Sequence, residues 1–181
     1  MSTPDRGRHE SAAGRITIRP AAAADFAALW PMLRDVIRAG ETYAIDPRLS
    51  RAAVRALWME APRATYVAER GGEIGAEIGG TFYIKTNQSG GGAHVCNAGF
   101  VVAAQARGQG LARAMCLRAQ FEARSLGYRA MQFNFVVETN TGAIALWERM
   151  GFGTVGRLPR AFHHPAAGLV DARVMYKWLD A

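Results

Sequence analysis

Apolar residues along the chain switch between a period of two and a period near 3.6, and each switch marks an element. Ile16 and Ile18, closed by Pro20, predict a short first strand. Phe26, Leu29, Trp30, Leu33, Val36 and Ile37 recur at helical spacing, with Asp25 as the expected N-cap and Gly40 as the stop. Pro47 and Ser50 open a second helix that carries Val54, Leu57 and Trp58 on one face. Thr65 to Glu69 reads as a strand, Gly71-Gly72 as a hairpin turn, and a further strand runs to about Lys85. Asn87 to Gly92 reads as a flexible loop, not a phosphate cradle, because no helix follows it directly.

Ala93 to Val102 is a largely apolar strand interrupted by Asn97 and Gly99. A glycine there marks a bulge or a close approach. After Arg107-Gly108-Gln109-Gly110 a helix runs to about Gly127, carrying Leu111, Met115, Leu117 and Phe121. Met131, Phe133, Phe135 and Val137 alternate with Gln132, Asn134 and Glu138, which is a strand with two unlike faces. Thr141 is the expected cap of a helix that buries Ala143, Leu146, Trp147 and Met150 and stops at Gly151. Phe152 to Arg157 and Ala172 to Trp178 read as the last two strands. The order β-α-α-β-β-β-α-β-α-β-β defines an α/β class with no internal repeat. Residues 1–14 are expected to form a solvated tail, and 15–181 a single domain.

Composition narrows the classes. The 181 residues are 50% hydrophobic and 20% charged, which excludes a disordered chain, a coiled coil or a disulfide scaffold. The net charge of +7 suits an acidic partner. All basic residues but Lys85 and Lys177 are arginines, scattered without a basic run, so nucleic acid is not the expected partner. Cys96 and Cys116 are the only cysteines, and Met1 to Arg15 has no apolar signal core. Reduced thiols and a cytoplasmic location are expected. No stretch approaches the roughly 20 apolar residues of a membrane span. No His/Cys/Asp grouping has zinc-like spacing, so no metal is expected.

The strongest chemical signal is strand, then Arg107-Gly108-Gln109-Gly110-Leu111-Ala112, then helix. The first helical N–H groups have no internal partner and form an anion site suited to a pyrophosphate; a tight turn with no ligand is the bland alternative. Walker and dinucleotide spacings are absent. Arg107, Gly110 and Ala112 instead fill the acyl-CoA pattern (Q/R)-x-x-G-x-(G/A). Here the chain resembles the GNAT superfamily of acetyl-CoA-dependent N-acetyltransferases. Asn140-Thr-Gly-Ala-Ile-Ala-Leu-Trp-Glu-Arg-Met-Gly-Phe152 is similar to that family's second signature, and the likeness spans about residues 15–179.

The resemblance implies a GNAT fold: a mixed, mostly antiparallel sheet, splayed between two parallel strands near Val102 and Phe133 and flanked by helices. It implies acetyl-CoA as co-substrate, with pantetheine in the splay along the backbone from Phe100 to Ala104, including Val101 and Val102. The pyrophosphate would lie on the amides of Arg107, Gly108, Gln109, Gly110, Leu111, Ala112 and Arg113. Asn140 would meet the pantetheine arm or serve as a helix cap. Val102 N–H would polarise the thioester carbonyl as a catalytic donor. Trp147 stands where the family often has a tyrosine acid. Indole donates a hydrogen bond but is no practical acid, so Trp147 is expected to pack, either at the cofactor beside its sulfur or as core filling.

His94-Val-Cys-Asn-Ala-Gly-Phe100 and Phe133-Asn-Phe-Val-Val-Glu-Thr-Asn140, with Trp147, more closely resemble the proline-analogue (azetidine-2-carboxylate) N-acetyltransferases. This implies that Asn97 and Asn134 face a small amino-acid-like acceptor, with Asn134 also acting in catalysis. The alternative is a buried polar pair spanning the sheet. Glu41 and Tyr43, after the first helix, are candidates to meet the acceptor amine, with Glu41 as base, or they belong to a solvated loop. His94 and Glu138 are further base candidates. Arg157, Arg160, His163 and His164, expected in a late loop, could hold an acceptor carboxylate. The expected activity is acetyl transfer to a small-molecule amine by direct attack. The alternatives are a protein N-terminal acetyltransferase and a non-catalytic CoA-binding module. A homodimer stays open.

Overall fold

The computed structural model describes residues 15–71 and 76–179. The expected tail over 1–14 and Gly72 of the expected hairpin turn lie outside these residues. Chain order is β1 (Ile16–Pro20), α1 (Phe26–Ala39), α2 (Arg51–Arg55), β2 (Ala64–Arg70), β3 (Glu77–Thr86), β4 (Val95–Val102), α3 (Leu111–Ser125), β5 (Ala130–Val137), α4 (Thr141–Arg149), β6 (Gly153–His164) and β7 (Gly168–Trp178). This matches the element order read from periodicity. One sheet of seven strands runs β1-β2-β3-β4-β5-β7-β6. Every neighbouring pair is antiparallel except β4 with β5. The α/β class with a mixed, mostly antiparallel sheet is therefore correct.

Alternation along β3 assigns the helices to faces. Trp58, in the π-helical continuation of α2, donates Nε1 to Thr81 Oγ1 at 3.1 Å. A Cβ added at neighbouring Gly80 would lie 2.9 Å from Met115 Cε of α3. Successive strand residues point to opposite faces, so α2 and α3 lie on opposite sides of the sheet. Leu29, Leu33 and Ile37 of α1 bury with Val54 and Trp58, while Leu111, Met115 and Ala119 bury the stripe of α3. Tyr66, Phe82 and Phe100 stack across β2, β3 and β4 at 4.8 and 5.6 Å between centroids.

Several local expectations change. Asp25 does not cap α1: a helical turn begins earlier, at Ala23. Its carboxylate instead accepts from Ala22 N–H and from both terminal nitrogens of Arg19. Arg19 holds that carboxyl below the usual range. Asn140, not Thr141, caps α4 by accepting from Ala143 N–H at 3.3 Å. Leu117 and Phe121 of α3 are exposed. In α4 the buried residues are Ile144 and Trp147. The late loop is strand: β6 continues to His164, with a register shift between Leu158 and Phe162. Pro159 lacks an N–H, and a bulge in an edge strand tolerates that loss.

Gly99 marks a close approach and not a bulge, for β3 and β4 keep one register throughout. The Tyr83 ring covers it so closely that a Cβ there would sit 2.5 Å from Tyr83 Cε1. Gly99→Ala is expected to lower stability by about 1–3 kcal/mol through overpacking. Tyr83→Leu should restore part of the loss. Denaturant unfolding of both single variants and the double variant checks this, and strict additivity would show that the ring is not the obstacle.

Candidate active site

β4 and β5 pair over only Val95–Asn97 with Ala130–Gln132 and then part. The register of β5 against β7 shifts between Phe133 and Val136, and such an irregularity bends a strand. The parting leaves one edge of β4 without a strand partner. Ala103 N–H bonds Gly79 O, so by antiparallel alternation the odd residues of β4 turn their backbone groups to β3. Phe100 and Val102 therefore direct theirs into the gap. Tyr43 takes the first pair: its hydroxyl donates to Phe100 O at 2.7 Å and accepts from Phe100 N–H at 2.8 Å. Val102 remains, facing a cleft of about 1060 Å³.

The turn after β4 forms one end of this cleft. Gly108 and Gly110 have φ of 71° and 84°, and a Cβ at either would meet nothing within 4 Å. Gly110 supplies the N-cap position without a side-chain cap. The bond from Ala114 N–H to Gly110 O is the first of the helix, leaving Leu111, Ala112 and Arg113 as uncapped N–H donors. Together with the helix dipole they can hold an anion. Arg107, Gly108, Gly110, Leu111, Ala112 and Arg113 all line the cleft. Ala104 and Gln109 do not, since Gln109 turns its amide to Gln105 O at 2.9 Å.

Opposite this turn, the start of α4 brings Asn140 to the cleft. Its Oδ1 is the cap of that helix, so a cap and a cleft position coincide in one residue. Trp147 also lines the cleft while packing 5.0 Å from both Phe100 and Phe133. Val101 is a lining residue too.

The acceptor candidates scatter more. Glu41 is exposed and lines the cleft, just past Gly40, which ends α1 with φ of 63°. Tyr43, expected to meet an amine, commits its hydroxyl to Phe100 instead, and burial pushes its pKa well above that of an ordinary phenol. Asn97 is buried at the vertex, donating Nδ2 to Gln132 O at 2.9 Å. Asn134 is exposed, which rules out the alternative of a buried pair, because β5 has left β4 by that point. Asn134 accepts from Gln132 Nε2 at 2.8 Å and donates to Asn87 Oδ1 at 2.7 Å. Both asparagines meet Gln132, Asn97 through its main-chain carbonyl and Asn134 through its side-chain amide, and neither is among the cleft-lining residues.

The other base candidates move away from the cleft. His94 precedes β4, at the end remote from the gap, with Nδ1 3.2 Å from Gly91 O. Glu138 is held by two nitrogens of Arg173 at 2.8 and 2.6 Å, and that guanidinium keeps its carboxyl below the usual range. His164 does line the cleft. Ala166 and Ala167 donate to its Nδ1 at 3.1 and 3.2 Å, which puts the neutral ring's proton on Nε2. Only the length of β6 reveals this placement. Thr42, Thr139 and Arg149 line the cleft as well, and no motif singled them out. The cysteines are buried and inert as nucleophiles, their thiols pushed up to about 12 at Cys96 and about 11 at Cys116. Among the described residues no group of His, Cys, Asp and Glu could hold a metal, and no helix is long and apolar enough to cross a membrane.

A family model described as Acetyltransferase (GNAT) family matches residues 30–152, and the chain belongs to that family. The expectation of an N-acetyltransferase is correct at this level. Among its relatives, N-acetyltransferase aca1 of Schizosaccharomyces pombe is 30% identical over 151 residues, covering 76% of this chain and 72% of that protein. The solved structure of a GCN5-related N-acetyltransferase from Kribbella flavida is 43% identical, with a TM-score of 0.84 over 90% of this chain and 97% of its own. The yncA protein of Salmonella typhimurium, solved with its cofactor acetyl-CoA, shares the fold at 23% identity, with a TM-score of 0.79 over 92% and 95% of the two chains.

Glu138 and Arg173 join the end of β5 to β7, and Arg173 reaches Glu148 of α4 at 3.3 Å. A carboxyl with a depressed folded-state pKa stabilises above its unfolded pKa, and the gain is lost as pH falls through the folded value. Glu138→Gln should therefore melt below the parent at pH 7, and the gap should begin to narrow as pH falls below about 4. Melting curves across that range check it. A gap independent of pH would show that the ionised pair contributes nothing.

Proposed function

We propose that the chain transfers the acetyl group of acetyl-CoA to the amine of a small, amino-acid-like acceptor within a ternary complex. The observation that carries this is the Val102 backbone pair, facing a cleft that ends in the uncapped amides of Leu111, Ala112 and Arg113. Those amides would hold the pyrophosphate. Pantetheine would continue along β4 as a substitute for the missing strand, and Asn140 would meet its arm. The thioester carbonyl would accept from Val102 N–H, which stabilises the oxygen as charge develops there.

The neutral amine attacks the carbonyl carbon, forming the C–N bond. Collapse breaks the C–S bond and sends its electron pair to the thiolate, a good leaving group with a pKa of roughly 8.5. The amine's proton passes to Glu41 or to water. Trp147, packed on Phe100 and Phe133 at the cleft wall, would lie beside the reacting sulfur. Asn97 and Asn134 would address an acceptor bearing both an amine and a carboxylate, because amides donate as well as accept. The proline-analogue class fits this pair. Two free cysteines support a reducing compartment, the cytoplasm.

Mass spectrometry of acetyl-CoA incubated with azetidine-2-carboxylate, proline and other small amines tests the reading. Acetylated imino or amino acid is the expected product. Acetylation confined to peptide N-termini would favour a protein acceptor, and binding without turnover would favour a regulatory module. Gly110→Glu places bulk and negative charge at the anion cradle, so acetyl-CoA affinity should be lost with the fold kept. Unchanged calorimetric affinity would remove this turn from the site.

Asn134→Ala should lower kcat/KM for the acceptor by about ten- to a hundredfold while sparing acetyl-CoA affinity. Asn97→Ala, at the buried vertex, should also lower the melting temperature. If Asn134→Ala disturbs both substrates alike, the amide chain is structural and says nothing about the acceptor.

A further inference from the structure

Tyr43 makes the most fully specified contact at the gap, and the acetyl-transfer chemistry above assigns it no role. Its hydroxyl fills the free edge of β4 at Phe100 as a neighbouring strand would, donating to the carbonyl and accepting from the N–H. The ring behind it is fixed. It meets Trp58 edge-on at 6.1 Å, Trp58 meets Tyr83 at 4.9 Å, and Trp58 is tied to Thr81. On the other face Phe100 packs against Trp147 at 5.0 Å and Phe133 at 5.9 Å. The gap is thus closed at Phe100 from within the sheet plane and from the α4 face.

This closure bears on the acyl group. The anion cradle lies beyond the C-terminal end of β4, so a thioester arm entering from there runs toward the vertex, and whatever it carries points at Phe100. Val102 and Phe100 are two residues apart, roughly 6.8 Å along the strand. We propose that Tyr43 is a specificity-determining residue that limits acyl chain length, its hydroxyl on Phe100 forming the end wall of the acyl site. An acetyl group placed at Val102 fits before that wall, and each added methylene presses against it. The wall is built from a neutral phenol, since burial keeps its proton on. This inference rests on the acetyl-transfer reading.

The test compares acetyl-, propionyl- and butyryl-CoA with free CoA, in calorimetric affinity and in turnover with whichever acceptor proves active. Wild type should weaken in both with chain length, since an apolar pocket discriminates one methylene by about 10–200-fold. Tyr43→Leu keeps apolar bulk against Trp58 but does not reach Phe100. It should raise the butyryl-to-acetyl ratio of kcat/KM at least about tenfold, with free-CoA affinity unchanged. Tyr43→Phe, which keeps the ring and loses only the hydroxyl, should relax the ratio a fewfold, and it serves if Tyr43→Leu does not fold. A structural role alone would lower the melting temperature and leave the ratio where it was. Folded variants with the wild-type chain-length order overturn the inference. A wild type that binds no acyl-CoA at all overturns the acetyl-transfer reading beneath it.

Discussion

A β-strand that loses its neighbour leaves backbone donors and acceptors that must find other partners. Here that happens after three residue pairs between β4 and β5, and much of the cleft follows from it. Phe100 is satisfied by a side chain from the segment after α1, some 57 residues away in sequence. Val102 is left to the cleft. The proposed chemistry sits where the sheet is incomplete, and the complete remainder holds the incomplete part in place.

The parting is maintained by different means on its two sides. On the β3 side the control is apolar: Gly99 lets Tyr83 lie on the strand, Trp58 backs Tyr83, and Tyr43 backs onto Trp58. On the β5 side it is ionic and amidic. Glu138 is gripped by Arg173, which also reaches α4, and Gln132, Asn134 and Asn87 run as linked amides along the edge. Aromatic contacts from Phe100 to Trp147 and Phe133 span the two sides. Displacing either side would have to break that aromatic bridge.

The element order and the glycine turn that opens α3 were legible because both depend on local signals. Hydrophobic period separates strand from helix, and glycines at 108 and 110 carry the positive φ that the turn requires. What was not legible depends on distant partners. Asp25 looks like a cap, yet Arg19 draws it into an ion pair. Pro159 looks like the end of a strand, yet an edge strand can carry it. Asn134 could have been read as buried beside Asn97, and the parting of β5 from β4 exposes it. Nothing local to Tyr43 distinguishes a loop tyrosine from one bonded to the centre of a sheet.

This division has a consequence for how such a site varies. In the proposed reaction the activated carbonyl and the phosphates are addressed by backbone N–H groups, which are indifferent to side-chain identity except where glycine is needed. In that proposal acceptor choice would fall to side chains from separate elements: Glu41 after α1, Asn134 on β5 and His164 at the end of β6. Those three share no local constraint, so each can change without disturbing the cofactor side. Tyr43 is different, because its hydroxyl satisfies the Phe100 backbone and, in the proposed acyl site, forms the end wall as well. A change there must alter both, which couples the stability of the gap to the size of the group it admits.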